Sequence, residues 1–120
     1  MSRQLGPSTR LSRREGVNLM LKPIRDESGK NPLEKEYKNY PPGMHAWRRS
    51  KASEYGVRLR EKQKVKRHYG LLERQFQRYY RLAEKSTENT GLALMQVLER
   101  RLDNAVYKTR FVAGRRGSRQ

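Results

Sequence analysis

SEYGVRLREKQKVKRHYGLLERQFQRYYRLAEK, residues 53–85, decides the fold. It holds no proline, and its apolar residues recur at helical spacing on either side of Gly70. Ser53 is a good N-cap residue, so the pattern predicts a helix over 53–69 with Gly70 in a left-handed C-terminal turn. Its apolar stripe is thin: Tyr55, Leu59, Val65 and Tyr69. A second helix is predicted from 71 to about 85, with Leu72, Phe76, Tyr80 and Ala83 forming one continuous buried face. On that reading Tyr80 is a core residue.

Within the first helix, residues 58–69 place six Lys or Arg residues beside one Glu. At about 100° per residue, Arg58, Arg60, Lys62, Lys64, Lys66 and Arg67 point to several sides of the cylinder. Glu61 alone cannot supply the i to i+4 pairs that normally quiet such a helix. Phosphate contact is therefore a better reading than a solvated surface. The whole chain repeats the imbalance: 29 Lys plus Arg against 12 Asp plus Glu give +17, which points to nucleic acid.

Outward toward the N-terminus, residues 1–52 carry all five prolines, with short apolar stretches between them. They read as an irregular basic arm with a short helix. Ser12 and Glu15 have capping-box spacing, which predicts a helix over 13–21 stopped by Pro23. Outward toward the C-terminus, Ser86 to Asn89 make a turn, Thr90 is the expected cap, and Leu94, Leu98, Leu102 and Val106 recur every fourth residue beside Met95. This is the strongest apolar ridge in the sequence, with Arg100, Arg101 and Lys108 on a basic side. The tail adds Arg110, Arg115, Arg116 and Arg119 and no acid.

The 120 residues allow one modest domain or a small helical core with basic extensions, and the ends are expected to order on a partner. Absence of cysteine excludes disulfides and thiolate metal sites, and His45 and His68 are poor material for zinc. No apolar run approaches the roughly 20 residues of a membrane span, and the N-terminus lacks a secretory h-region. Glu15 argues against a transit peptide. The chain therefore reads as metal-free and intracellular. Neither histidine has a nucleophile motif or an orienting carboxylate pair, and no phosphate-binding glycine loop is present, so the sequence predicts no enzyme. Tyr37, Tyr40, Trp47, Tyr55, Tyr69, Tyr79 and Tyr80 lie among the cations and suit base stacking as well as packing. Trp47, flanked by His45, Arg48 and Arg49, is the one best placed for RNA.

Taken together, LSRREGVNLMLK (11–22), YPPGMHAWRR (40–49), YGVRLREKQKVKRHYGLLERQFQRYY (55–80) and LERRLDNAVY (98–107) resemble the bacterial small-subunit ribosomal protein S-four family, also called uS-four. The match is collinear along the chain, and LREKQK, ERQF and RLDN in that order are its specific signature. The resemblance implies a mainly α fold: an irregular Pro/Gly-rich arm over 1–52, a helical rRNA-binding domain over 53–97, and the start of a truncated α+β RNA-binding module over 98–120. It implies a structural constituent of the ribosome that binds small-subunit rRNA early in assembly of the subunit body. Small-subunit proteins five and twelve would be its neighbours, with a part in translational accuracy, a cytoplasmic location and, in some members, repression of their own mRNA.

Carried onto this sequence, the RNA-binding candidates in the arm are Arg3, Arg10, Arg13, Arg14, Trp47, Arg48 and Arg49. In the helical domain they are Arg58, Arg60, Lys62, Lys64, Lys66, Arg67 and Arg74. In the terminal module they are Arg100, Arg101, Asn104, Lys108, Arg115, Arg116 and Arg119. Many relatives carry two pairs of zinc-binding cysteines where this chain has Thr9, Ser12 and a cysteine-free stretch over 26–36, so it resembles the zinc-free form. Relatives also continue with a further helix segment and strands, so the chain reads as a fragment whose half-module cannot hold its basic residues in place. Two alternatives come from other classes. One is the RNA-binding appendage of an RNA-modifying enzyme, for which no companion catalytic domain is visible; the other is an unspecific basic nucleic-acid binder.

Overall fold

The computed structural model describes residues 6–34, 40–44 and 51–120. The chain is mainly α, and there is no strand among the described residues. It divides into two compact units, Leu5–His68 and Tyr69–Gln120.

In the first unit, α1 spans Ser8–Glu15 and α2 spans Pro23–Glu27, with a 3₁₀ turn over Pro32–Glu34. This corrects the helix expected over 13–21. Pro7 opens α1 and Gly16 closes it at φ +66, a backbone conformation that glycine adopts without a Cβ penalty. Ser12 is therefore inside the helix, where its Oγ accepts a hydrogen bond from Leu19 N at 3.4 Å. Pro23 opens a helix and does not stop one. It stands at N1, where the missing N–H costs nothing because that donor has no intrahelical partner. Leu19, 4% exposed, is the buried apolar residue of this unit among the described residues.

The long helix α3 spans Glu54–His68, one residue short of the predicted span at each end. Ser53 caps it as expected, its Oγ accepting from Gly56 N at 3.1 Å. None of its residues is fully buried, as its thin apolar stripe implies. His68 Nδ1 lies 3.2 Å from Leu19 O, which ties the last turn of α3 to the segment after α1.

In the second unit, Gly70 takes the predicted left-handed turn at φ +65. α4 spans Glu73–Glu84 and α5 spans Thr90–Glu99, and these two helices pack on each other. Their core is Phe76, Ala83, Ala93 and Leu98, with Leu71 and Leu98 at 0% exposure. Tyr80 is not part of it: 45% of its surface is exposed, because the buried face runs through Phe76 and Ala83 and the ring falls to its side. The cap of α5 is Asn89, not Thr90. Its side chain accepts from Gly91 N and Leu92 N, the donors at the open end of the helix.

The predicted ridge over 94–106 is broken. Arg101 adopts an extended conformation (φ −65, ψ 139) and α6 restarts over Leu102–Lys108. The four-residue register is lost at that break, leaving Leu102 79% exposed while Leu98 is buried. α7 spans Arg115–Ser118 and packs on α6. A Cβ at Gly117 would stand 2.5 Å from Val112 Cγ1, so the contact between α7 and the preceding loop needs glycine.

Candidate nucleic-acid interface

The cations of α3 are less free than their density suggests. Arg58 pairs with Glu54 one turn away, and Lys64 Nζ is 2.5 Å from Glu61 Oε1. Arg60 and Arg67 converge on Oε1 of Glu15, at 3.2 and 2.5 Å. The Glu15 side chain is 0% exposed, so two guanidinium groups compensate a carboxylate that would otherwise be costly to bury. Glu61 is thus not the lone anion available to α3: Glu54 stands in its first turn, and Glu15 comes from α1, 45 and 52 residues from Arg60 and Arg67 in sequence. Lys62 and Lys66 are half-buried on the same helix.

On α1, Arg10 and Arg14 are exposed. Arg13 instead holds the chain at Tyr40, donating from Nε to its carbonyl at 3.0 Å and lying 4.5 Å from the ring centroid. Arg3, Trp47, Arg48 and Arg49, with Tyr37 and His45, lie outside the described residues.

In the second unit the RLDN stretch builds an internal polar lattice. Asn104, 1% exposed, donates from Nδ2 to Glu99 O at 3.1 Å and Glu99 Oε2 at 2.8 Å, and its Oδ1 accepts from Arg115 Nε at 3.1 Å. Arg101 pairs with Asp103 and donates to the Tyr79 hydroxyl at 2.6 Å. Burial works against the Arg101 charge, but the Asp103 partner outweighs it and its pKa is raised. Glu99 also takes Lys108 and the Tyr69 hydroxyl. The Lys108 and Tyr69 hydrogen bonds together hold its carboxyl down at about 2. Burial, followed by the Glu99 partner, pushes the Tyr69 hydroxyl up to about 12.

Arg115 and Arg119 also have partners within their unit, in the tail for which the sequence suggested no support. Arg115 lies 4.5 Å from the Tyr107 ring centroid and 5.6 Å from that of Tyr69. Arg119 donates to Gly70 O and, at 2.9 Å, to Gln75 Oε1. Arg100 is exposed, and Arg116 is half-buried.

Sequence reasoning named Arg74 but missed Arg78, Arg81 and Lys85. All four are exposed. None of the four side chains has an ion pair or hydrogen bond among the described residues. The signal was present as a four, three, four spacing on the helix whose apolar face was already recognised, but the denser charge of α3 drew the reading. Of the aromatic candidates, Tyr55 is 75% and Tyr80 45% exposed, whereas Tyr69 is buried at 5%.

The arm positions associated with zinc in the S-four resemblance hold a different chemistry. Thr9 Oγ1 accepts from Arg25 Nη1 at 3.1 Å, and Asn31 Nδ2 donates to Asp26 Oδ1 at 2.8 Å. These side chains line one small cavity with Ser8, Ser12, Asn18, Leu21 and Lys22. The set offers hydroxyls, amides, one carboxylate and two cationic side chains, and no thiolate or imidazole. It does not fit tetrahedral zinc, which takes sulfur and nitrogen ligands. No helix of the described residues is long and apolar enough to cross a membrane.

A family model described as ribosomal protein S4/S9 N-terminal domain matches residues 3–99. Small ribosomal subunit proteins uS4 of Trichlorobacter lovleyi and Herpetosiphon aurantiacus are each 52% identical to this chain over its whole length, which covers 57% and 56% of those relatives. The uS4A protein of Symbiobacterium thermophilum is 51% identical over the whole chain and 57% of its own length. The chain thus spans a little over half the length of the curated relatives it matches. With a family match across most of its residues, and with the LREKQK, ERQF and RLDN stretches all in place, the chain belongs to the ribosomal protein S4/S9 family.

Proposed function

We propose that this chain is a structural constituent of the small ribosomal subunit that binds the subunit's rRNA and performs no chemistry of its own. The observation that carries this reading is its similarity, at 52% identity across all its residues, to proteins named small ribosomal subunit protein uS4. A charge of +17 supplies the physical means. Phosphate contacts of this kind position a protein on RNA and make affinity depend steeply on salt.

Direct contact is assigned to Arg10 and Arg14 on α1; Arg58, Lys62, Lys64 and Lys66 on α3; Arg74 on α4; and Arg100, Lys108 and Arg116 beyond it, of which Lys62, Lys64, Lys66 and Arg116 are half-buried and the rest exposed. Arg3, Trp47, Arg48 and Arg49 stay in the proposed contact set on the family resemblance alone. Arg13, Arg60, Arg67, Arg101, Asn104, Arg115 and Arg119 are given a supporting role, since each hydrogen-bonds another segment of its unit and none is exposed. The functional division over 1–52, 53–97 and 98–120 is kept as part of this reading. So are residence in the cytoplasmic ribosome, contact with small-subunit proteins five and twelve, a part in translational accuracy, and repression of the protein's own mRNA.

The test is binding of the 120-residue chain to the five-prime domain of small-subunit rRNA across a salt series, with duplex DNA and a scrambled RNA as competitors. Selective binding to the rRNA fragment is expected. Equal, salt-fragile binding to all three would leave an unspecific polycation and overturn the reading.

A further inference from the structure

α4 and its C-cap residue Lys85 present a row of cations that have no ion pair or hydrogen bond from their side chains among the described residues. Arg74, Arg78, Arg81 and Lys85 fall within an arc of about 60° at 3.6 residues per turn, and the row extends about 16 Å along the helix. Phe76 and Ala83, the buried residues of α4, lie on the opposite side. The side that carries the row is therefore fixed by core packing, and all four side chains are held on the surface. Like charges one turn apart repel, and the nearest exposed acid, Glu84, makes no ion pair with any of them among the described residues. A protein fold gains nothing from such a row by itself.

We infer that the α4 row is a second RNA-binding surface, which grips the sugar–phosphate backbone of a folded RNA helix along a line. This inference rests on the rRNA-binding reading above and adds a place to it. The chemistry favours backbone over bases. No aromatic residue interrupts the row, so it offers no stacking platform for unpaired bases, and Tyr79 and Tyr80 lie toward the apolar side of the helix. Three of the four are arginines, whose planar fork matches a phosphate with two parallel hydrogen bonds. Successive members are spaced by about one helical turn, so the row presents separate charges in series and not one concentrated pocket. It would fix where the RNA lies and carry no sequence information of its own.

The experiment compares the intact 120-residue chain with two triple variants of equal charge, R78Q/R81Q/K85Q and K22Q/K30Q/K51Q. The second set removes three exposed lysines that belong to no proposed contact. Affinity for the structured rRNA fragment is measured over a salt series, with single-stranded RNA and duplex DNA as competitors, and helical content is followed by circular dichroism. Glutamine is a good helix former, so both variants should keep the helicity of the parent. The α4 variant is expected to bind more weakly and to flatten the log–log salt slope by roughly 0.7–0.9 for each cation lost, that is by about 2 to 3, with the control changing far less.

Equal losses in both variants would mean that only net charge matters, and an unchanged slope in the α4 variant would mean a solvated face; either result overturns the inference. If single-stranded RNA competes as well as the structured fragment, the backbone-of-a-helix assignment is overturned. Failure of the parent chain itself to bind the rRNA fragment would instead remove the underlying reading, which distinguishes the two.

Discussion

α3 carries six cations and α4 carries three with a fourth, Lys85, at its C-cap, and the two sets have opposite electrostatic lives. On α3, Glu54, Glu61 and the buried Glu15 take up Arg58, Lys64, Arg60 and Arg67. Along α4, Arg74, Arg78, Arg81 and Lys85 are exposed and have no ion pair among the described residues. The helix with the denser run is the better compensated one. Charge per turn of sequence is therefore a poor guide to charge available for a partner; the position of acids elsewhere in the chain decides it.

The comparison is broken most severely by removing the acid that α3 borrows. Glu15→Gln would leave two guanidinium groups facing a neutral amide in a site where the parent side chain is fully buried. We expect a loss of about 3 kcal/mol, as for other buried ion pairs stripped of one partner, read as a lower urea midpoint. Amide exchange should quicken over α1 and the end of α3 in particular. If instead stability were unchanged, Arg60 and Arg67 would be as free as the α4 row, and the contrast would collapse.

A smaller effect is expected from the lattice that supports the unit bearing α4. Asn104→Ala strips a partner from Glu99 and from Arg115, and leaving buried polar groups unsatisfied costs about 1–3 kcal/mol. Thermal melting checks it. The same lattice gives the unit a pH signature. Because the Glu99 carboxyl is held at about 2, its contribution is present above the usual carboxylate range and is lost as pH falls through that value. The Tyr69 hydroxyl, pushed up to about 12, contributes below the ordinary tyrosine pKa and loses that contribution as pH rises toward 12. Urea midpoints measured between pH 5 and 2 should fall less steeply for Glu99→Gln than for the parent.

The smallest effects sharpen the comparison. Arg58→Gln breaks an exposed i, i+4 pair on α3 and should cost about 0.3–0.5 kcal/mol. Arg81→Gln on α4 removes repulsion and should be neutral or stabilising by a few tenths of a kcal/mol. Opposite signs in the two midpoints would establish the different states of the two helices; equal losses would mean that Arg81 has a partner.

Much of the fold was readable because it is local. Ser53 capping α3, Gly70 turning left-handed, and Phe76 with Ala83 forming the buried side of α4 all follow from interactions within four or five residues. The misreadings mark where local rules offered more than one answer. Ser12 with Glu15 satisfied a capping pattern, yet Gly16 ended the helix there and drew Glu15 into the interior. Leu94 to Val106 kept a perfect four-residue period, yet Arg101 interrupted the helix and turned Leu102 outward. The candidate site was legible as charge and family resemblance, while the missed row of Arg78, Arg81 and Lys85 was legible as spacing once the buried side of α4 was known.

By itself the sequence determined a basic, mainly helical chain of the S4/S9 family, since composition, helical period and family motifs are properties of residues in order. Tertiary structure alone decided which cations remain available. Glu15 reaches Arg60 and Arg67 across 45 and 52 residues, and Asn104 joins Glu99 to Arg115, because the chain returns on itself there. Coulomb attraction and desolvation depend on distance in space, which no spacing along the chain records.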